Sequence, residues 1–158
     1  MLRVWPAREV TEDLVRALHR LLPQMSRSAR LPSGLEIDEI VSSRATTLLL
    51  ASDDGSESDE ADEVGERDGA IVGMLTLVTF RLPTGVRAWI EDVVVDTGAR
   101  GRGVGEALTQ AAIELAADRG AQTVDLTSRP SREAANRLYR RMGFEQRETN
   151  VYRFSPPS

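Results

Sequence analysis

The spacing of hydrophobic positions separates helical from extended segments along the chain. Leucines three and four residues apart form one apolar stripe on an amphipathic helix that begins at Thr11. Three later segments are also predicted to be helical, and two of them end at a glycine, Gly120 or Gly143, that can cap a helix. The predicted helices are Thr11–Met25, Gly34–Ser43, Gly103–Asp118 and Ser131–Met142, and the first stripe consists of Leu14, Leu18, Leu21 and Leu22.

Apolar runs between these helices predict strands. Pro83, Thr84 and Gly85 separate two long runs and indicate a β-hairpin. The order of elements, β-α-α-β-β-β-α-β-α-β, predicts one mixed α/β domain over residues 1–158 with an antiparallel first half. The predicted strands are Leu2–Trp5, Ala45–Ala51, Ala70–Leu82, Val86–Val95, Thr123–Thr127 and Asn150–Phe154.

One segment concentrates the negative charge of the chain. Nine acidic residues and one base lie between Asp53 and Asp68, while the whole chain has a net charge of −5. A segment so polar and so densely charged predicts a solvated, mobile surface loop at 53–68. An alternative interpretation is that this loop attracts a cationic substrate.

Composition argues against several classes of function. A nucleic-acid-binding protein is expected to carry a basic patch with interleaved aromatic residues, but this chain is acidic and only 4% aromatic. Cysteine is absent, so the chain has no disulfide, thiolate metal ligand or cysteine nucleophile. No apolar run is long enough to predict a membrane span, and the N-terminus does not resemble a secretory signal. We therefore expect a cytoplasmic protein with no metal, nucleic-acid or membrane partner.

The strongest motif is a glycine-rich turn between a valine-rich strand and an amphipathic helix. It reads Arg-Gly-Arg-Gly-Val-Gly over residues 100–105. Glycines let the backbone turn sharply and bring several N–H groups to one ligand, and the helix amino end adds unpaired N–H groups and partial positive charge. Arg100 and Arg102 add charges that suit phosphate oxygens, so the turn predicts a pyrophosphate site. The buried stripe of the following helix is predicted to be Val104, Leu108, Ala111 and Leu115.

Other interpretations of this turn compete with a pyrophosphate site. The glycines could serve only tight packing between strand and helix. A dinucleotide-binding fold would need Gly-x-Gly-x-x-Gly and an upstream βαβ repeat, whereas this turn reads Gly-x-Gly-x-Gly. A P-loop is excluded because Gly-Lys-Ser/Thr does not occur.

Together with a second motif, the turn resembles the acyl-CoA signature of the GCN5-related N-acetyltransferases, the GNAT family. Arg-x-x-Gly-x-Gly at residues 100–105 follows a strand, and Leu-Tyr-x-x-x-Gly-Phe at residues 138–144 resembles the end of that family's late helix. The resemblance covers residues 86–154, whereas the first 60 residues agree only in the order of their elements. It implies a central, mostly antiparallel sheet with splayed middle strands flanked by helices, and acetyl-CoA as the cosubstrate.

The resemblance also implies which residues bind acetyl-CoA. In this family the strand before the turn bulges and splays from its neighbour, and its freed backbone groups pair with the pantetheine arm. Many members carry asparagine seven residues before the tyrosine of the second motif, and this sequence departs from them with Arg132. The residues expected to bind the cosubstrate are Val93, Val94, Val95, Arg100, Gly101, Arg102, Gly103, Val104, Gly105, Glu106, Arg132 and Asn136.

Tyr139 is the candidate catalytic acid. Acetyl transfer needs a group that takes a proton from the amine, a stabilised oxyanion and a proton for the departing thiolate. A phenol can supply that last proton, because its ordinary pKa of about 10 is close to the value of about 8.5 for a thiol. Tyr139 shares a predicted helical face with Arg132 and Asn136. The alternative is that its ring only packs between helix and sheet.

Glu91 is the candidate catalytic base. The run Trp-Ile-Glu-Asp-Val at residues 89–93 resembles the corresponding strand of spermidine/spermine N-acetyltransferases, where the glutamate of a Glu-Asp pair is a proposed base. The alternative is a hydrogen-bonding residue at a strand end. Strand alternation turns Asp92 to the opposite face and predicts that one face carries Trp89, Glu91, Val93 and Val95.

These features predict an enzyme that transfers the acetyl group of acetyl-CoA directly to a primary amine. The Glu-Asp pair favours a polyamine or another small cationic amine, and a peptide N-terminus or an antibiotic amine stays open. One alternative is a non-catalytic acyl-CoA-binding or regulatory domain of the same fold, and another is an unrelated nucleotide-binding module. No motif fixes the oligomeric state, and a homodimer is one of the states considered.

Overall fold

The computed structural model describes residues 1–54 and 70–158, which fall into two compact units, Met1–Leu126 and Thr127–Ser158. In the first unit the elements are β1 (Leu2–Pro6), α1 (Glu12–Met25), α2 (Gly34–Ser42), β2 (Thr46–Asp53), β3 (Ile71–Leu82), β4 (Gly85–Val95), a short 3-10 helix (Thr97–Ala99), α3 (Val104–Asp118) and β5 (Ala121–Asp125). The second unit contains α4 (Glu133–Arg141).

Most of the predicted acidic loop at 53–68 lies outside the described residues. Its first predicted residue is an exception, because Asp53 ends strand β2 and pairs with Leu2 of β1. The prediction therefore placed the start of the loop too early.

The five strands form one sheet in the order β1-β2-β3-β4-β5. The first four pair antiparallel, and β5 pairs parallel with β4. Helix α3 lies between β4 and β5 in the chain and supplies the crossover that a parallel pair requires. The predicted mixed α/β fold with an antiparallel first half is confirmed.

Helices α1 and α2 cover one face of this sheet. The predicted leucine stripe of α1 is buried against the strands, and each such side chain contributes about 1.5–3 kcal/mol through burial. Thr11 begins the helix because its hydroxyl accepts a hydrogen bond from the Leu14 amide at 3.1 Å. The buried cluster consists of Leu14, Leu18, Leu21, Leu22, Ile37, Leu48, Leu50, Met74 and Val94.

Helix α3 packs on the opposite face, and Gly73 allows its close approach. Met74 belongs to the core under α1 and α2, so strand alternation turns position 73 towards α3. A Cβ built on Gly73 would lie 2.8 Å from Val104 Cγ1 and 3.0 Å from Leu108 Cδ1. The missing side chain therefore fixes how closely the amino end of α3 approaches β3.

The buried stripe of α3 differs from the predicted one. The buried positions are Val104, Leu108, Thr109, Ala112 and Ala116. Ala111 and Leu115, predicted to be buried, are only half-buried. A helix held this close to a sheet needs small side chains along the line of contact, which Ala112 and Ala116 provide. The buried Thr109 hydroxyl donates to the Gly105 carbonyl at 2.7 Å.

We expect Gly73→Ala to destabilise the protein by about 1–3 kcal/mol, because extra volume in a packed core forces side chains or backbone to shift. Urea unfolding of variant and wild type measures the difference. Gly34→Ala is the matched control, because a methyl group there meets no atom within 4 Å and improves helix propensity. Equal free energies of unfolding for wild type and Gly73→Ala would contradict the close approach.

The second unit consists of α4 and an extended carboxyl-terminal segment. Gly143 follows the helix with a φ of +97° and ends it as predicted. The predicted strand Asn150–Phe154 is wrong, because residues 142–158 contain no strand. Val151, Tyr152 and Phe154 are 71–88% exposed, so no strand among the described residues buries their side chains or accepts their hydrogen bonds.

Across the described residues, no helix is both long enough and apolar enough to cross a membrane.

Candidate active site

Strand β4 carries a bulge immediately after Glu91. Glu91 pairs with Thr76 and Val94 pairs with Met74, so three steps along β4 match two steps along β3. Asp92 has a φ of +50°, a left-handed value that is uncommon for a residue other than glycine. The extra residue bends the strand and increases its twist, in agreement with what the family resemblance implies for it.

The bulge also changes which side chains share a face. The β3 partners of Trp89, Glu91 and Val94 are Val78, Thr76 and Met74. These partners alternate regularly along β3, so Trp89, Glu91 and Val94 lie on one face, the one covered by α1 and α2. The prediction that Val93 and Val95 share the face of Glu91 is wrong, because the extra residue reverses the alternation.

The bulged half of β4 has only one neighbouring strand among the described residues. Strand β5 pairs with β4 at Val86, Ala88 and Trp89 and no further, whereas β3 continues to pair as far as Val95. The middle of the sheet is therefore splayed, as expected. On the side away from β3, the backbone N–H and C=O groups of residues 91–95 can form hydrogen bonds with a ligand. The amide groups of a pantetheine arm could pair with them.

Glu91 is exposed and is oriented by a neighbour on its own face. The indole Nε1 of Trp89 donates a hydrogen bond to Glu91 Oε1 at 2.8 Å. Partial burial, and secondarily the charge of Glu91, raise the pKa of the adjacent Asp92 carboxyl. A carboxylate held in one orientation beside a ligand-binding strand edge can accept a proton from an amine, directly or through water.

The glycine-rich turn joins β4 to α3 as predicted. Gly101 and Gly103 have φ values of +77° and +81°, which residues with side chains rarely adopt. Gly103 precedes α3 and provides no side-chain cap. The first intrahelical bond runs from the Ala107 amide to the Gly103 carbonyl at 3.0 Å, so the amides of Val104 and Gly105 have no acceptor within the helix. An anion can bind to these amides and to the positive end of the helix.

Side chains of α1 fasten the segment between β4 and the turn. Arg20 Nε donates to Asp96 Oδ2 at 3.2 Å. Gln24 Oε1 accepts hydrogen bonds from both the amide and the hydroxyl of Thr97, each at 2.9 Å. These contacts join residues 73 to 76 positions apart, so no local sequence pattern reveals them.

The two arginines of the turn have different partners. Arg100 Nε donates to the carbonyl of Val95 at 3.4 Å, at the end of β4. Arg102 Nη2 lies 2.6 Å from Asp53 Oδ2, at the end of β2. The predicted role of Arg102 as a phosphate ligand therefore has a competitor in the Asp53 carboxylate.

In the second unit, α4 and Arg132, the residue directly before it, supply the remaining predicted residues. Asn136 Nδ2 donates to the Arg129 carbonyl at 2.9 Å and so ties the preceding loop to the helix. The ring of Tyr139 contacts Phe144 edge-on, with centroids 5.7 Å apart. Burial raises the pKa of Tyr139, and the charge of Arg132 partly offsets the rise. The phenol therefore carries its proton at neutral pH, as a catalytic acid must.

Comparison with known proteins identifies relatives of this chain. A stretch of 61 residues is 43% identical to an uncharacterized N-acetyltransferase of Methanocaldococcus jannaschii and covers 39% of this chain and 27% of that protein. A stretch of 91 residues is 35% identical to a mycothiol acetyltransferase of Kytococcus sedentarius and covers 58% of this chain and 29% of that protein. The chain thus spans less than a third of the length of these two curated relatives.

Solved structures confirm the fold. An acetyltransferase of Trypanosoma brucei, 24% identical in sequence, superposes with a TM-score of 0.72 over 98% of this chain and 100% of its own. The predicted GNAT-like fold is therefore confirmed. Residues 36–144, more than half of the sequence, match the acetyltransferase (GNAT) family. The chain belongs to the GNAT family of acetyltransferases.

Proposed function

We propose that this protein binds acetyl-CoA and transfers its acetyl group to a primary amine by direct attack. The observation that carries the proposal is the bulged half of β4 that leads into the glycine-rich turn. The strand offers backbone groups to the pantetheine arm, and the turn and α3 offer amides and positive charge to the diphosphate. Family membership supports acetyl-CoA as the cosubstrate.

Apart from the side chain of Arg102, the residues proposed to hold acetyl-CoA are those that the sequence predicted. Residues 93–95 contribute backbone groups, residues 100–106 form the turn and the first turn of α3, and Arg132 and Asn136 belong to the second unit. Arg100 is the arginine that we assign to direct contact with phosphate oxygens, because Arg102 is already paired with a carboxylate.

In the proposed reaction the amine nitrogen attacks the thioester carbonyl, a C–N bond forms and the C–S bond breaks. Glu91 takes a proton from the amine, and Tyr139 gives a proton to the departing thiolate. The hydrogen bond from Trp89 to Glu91 supports the first assignment, because it orients the carboxylate. A phenol is protonated at neutral pH even at its ordinary pKa of about 10, and the raised pKa of Tyr139 extends this state to higher pH, which is compatible with the second assignment.

We propose a small cationic amine, such as a polyamine, as the acceptor. The Asp92 carboxyl group beside the proposed base Glu91 supports this class, because two adjacent acidic side chains attract a cation. One GNAT domain over residues 1–158, a cytoplasmic location, a homodimer and independence of metal ions stay predictions from the sequence.

Thiol release from acetyl-CoA, measured across a panel of amines, tests the proposed function. The panel contains spermidine, an aminoglycoside, a peptide with a free N-terminus and an arylalkylamine. We expect amine-dependent release, fastest with spermidine or another small cationic amine. Binding of acetyl-CoA without turnover of any amine would favour the non-catalytic alternative, and tighter binding of ATP or NAD than of acetyl-CoA would contradict the proposal.

We expect Glu91→Gln to lower turnover by about tenfold or more at neutral pH; this lower bound lies below the usual range of roughly a hundredfold to ten-thousandfold for general-base catalysis, because water reaches this exposed side chain. The deficit should shrink as the pH rises, since a larger fraction of the amine is then already neutral. Initial rates of both proteins between pH 7 and pH 10 measure this trend.

Asp92→Asn is the matched control for Glu91→Gln. It removes the neighbouring carboxylate but retains Glu91 and its bond from Trp89. This control should follow the pH dependence of the wild type. A Glu91→Gln deficit of constant size at every pH would contradict the role of Glu91 as the base.

A further inference from the structure

An ion pair links the glycine-rich turn, which follows β4, to the end of β2, a strand that β3 separates from β4. Arg102 Nη2 lies 2.6 Å from Asp53 Oδ2, a short charge-assisted contact. The Asp53 side chain is only 12% exposed, whereas that of Arg102 is 47% exposed. The other carboxylate oxygen of Asp53 lies 3.9 Å from the Met1 amino nitrogen, beyond hydrogen-bonding distance. Arg102 is therefore the principal partner of a largely buried carboxylate.

The two ends of this pair differ in rigidity. Asp53 belongs to β2 and pairs with Leu2 in the sheet, which fixes its backbone. Arg102 lies between Gly101 and Gly103, both in left-handed conformations. Glycine loses more conformational freedom on ordering than any other residue, so a turn of this composition needs a tertiary contact to hold one shape. The ion pair with Asp53 provides that contact.

The charge around Asp53 keeps Arg102 in place when an anion binds to the turn. If Arg102 turned towards a phosphate group, the largely buried Asp53 carboxylate would keep only the Met1 amino group, 3.9 Å away, as a charge partner among the described residues, which is unfavourable. The adjacent Asp54 adds a second carboxylate, whose Oδ1 is buried with no hydrogen-bond partner in the part of the chain that the structure describes and whose Oδ2 lies 3.9 Å from Arg3 Nε. The two carboxylates at the end of β2 therefore favour keeping the Arg102 guanidinium beside Asp53 when an anion binds to the turn.

We propose that Asp53 is a positioning residue for the diphosphate of acetyl-CoA. It acts through Arg102, fixing the turn so that the amides of Val104 and Gly105 are preorganised before the cosubstrate arrives. The pair persists in the complex, and Arg102 does not become a phosphate ligand. The inference rests on the proposed function, and it reassigns Arg102 from binding to positioning.

The test uses Asp53→Asn, Arg102→Gln and the double variant in the full chain, with two acetyl donors. Acetyl-CoA carries the diphosphate, and S-acetylpantetheine lacks it. We expect each single variant to raise the KM for acetyl-CoA about five- to tenfold at unchanged kcat, the size of coupling seen between contacting residues. The double variant should show no further rise. With S-acetylpantetheine, Asp53→Asn should match the wild type, which a general loss of structure would not allow.

Several results would overturn the inference. Asp53→Asn could lower the KM for acetyl-CoA, which would make Asp53 a competitor of the diphosphate. The two single effects could add in the double variant, or Asp53→Asn could impair both donors equally. If Asp53→Asn does not fold, Arg102→Gln decides on its own, since its side chain is about half exposed: a wild-type KM for acetyl-CoA would refute the proposal.

The same assay separates this inference from the proposed function. Wild-type protein that neither binds acetyl-CoA nor releases its thiol would reject the proposed function itself. Wild-type protein that turns over, beside variants with unchanged KM, would reject only the role of Asp53.

Discussion

Gly103→Asp lowers the affinity of the protein for acetyl-CoA by more than about tenfold, because it places a carboxylate where the diphosphate is proposed to bind. Two negative charges about 4 Å apart repel by roughly 1 kcal/mol in bulk water and roughly 4 kcal/mol near a protein surface. Gly103 lies directly before α3, and no described atom lies within 4 Å of a Cβ built there, so the new Cβ itself meets no steric obstacle. Isothermal titration calorimetry with acetyl-CoA measures the change.

Gly103→Asn is the control that isolates the charge. Gly103 has a φ of +81°, and asparagine and aspartate both tolerate the left-handed region better than other side chains. The two variants therefore have similar backbone strain and shape, and they differ in one negative charge. Equal affinities for acetyl-CoA in the two folded variants would place the diphosphate away from the amino end of α3.

Tyr139→Phe lowers kcat by roughly ten- to a thousandfold, around the range of general-acid catalysis, and leaves the affinity for acetyl-CoA nearly unchanged. The phenyl ring keeps the edge-on contact with Phe144, whose centroid lies 5.7 Å away, so the loss comes from the hydroxyl. Because burial raises the pKa of Tyr139, the wild type keeps its acid protonated throughout the neutral range. As the pH rises through that raised pKa, the wild-type rate should fall towards the rate of the variant.

Tyr152→Phe provides the matched control, since the chain has only two tyrosines. Tyr152 lies in the exposed carboxyl-terminal segment, and its side chain is 88% exposed. Removal of that hydroxyl should change neither kcat nor KM. If Tyr139→Phe turns over at the wild-type rate with the true acceptor, another group or bulk water protonates the thiolate, and the assignment of Tyr139 fails.

The sequence by itself determined those features of this protein that depend on a pattern within one short segment. The leucine period of α1 is a property of 14 residues, and its predicted stripe is the buried one. The sequence also predicted the glycine-rich turn, because closely spaced glycines permit the positive φ values that Gly101 and Gly103 adopt. These features depend on contacts between residues a few positions apart, so the sequence carries them in full.

The pairing of β4 with β3 decided which side chains of β4 share a face of the sheet. Alternation predicted that Val93 and Val95 share a face with Glu91, but a register shift against β3 adds one residue and reverses the alternation. The apolar residues of the segment Asn150–Phe154 have the composition of a strand and do not form one. A strand exists only where a neighbour accepts its hydrogen bonds, and the sequence of one segment does not specify its neighbour.

Tertiary contacts also decided how the turn is held. Gly73 permits the close approach of α3, and Asp53 binds Arg102 from a position about fifty residues earlier in the chain. In the sequence, Asp53 is simply the first of the nine acidic residues between positions 53 and 68. Asp53 is largely buried and pairs with Arg102 because β2 extends as far as residue 53 and because the glycine-rich turn that follows β4 lies beside that end of β2. Those are properties of the assembled sheet, because the energy of a charge depends on its distance to other charges and to water rather than on its place in the chain.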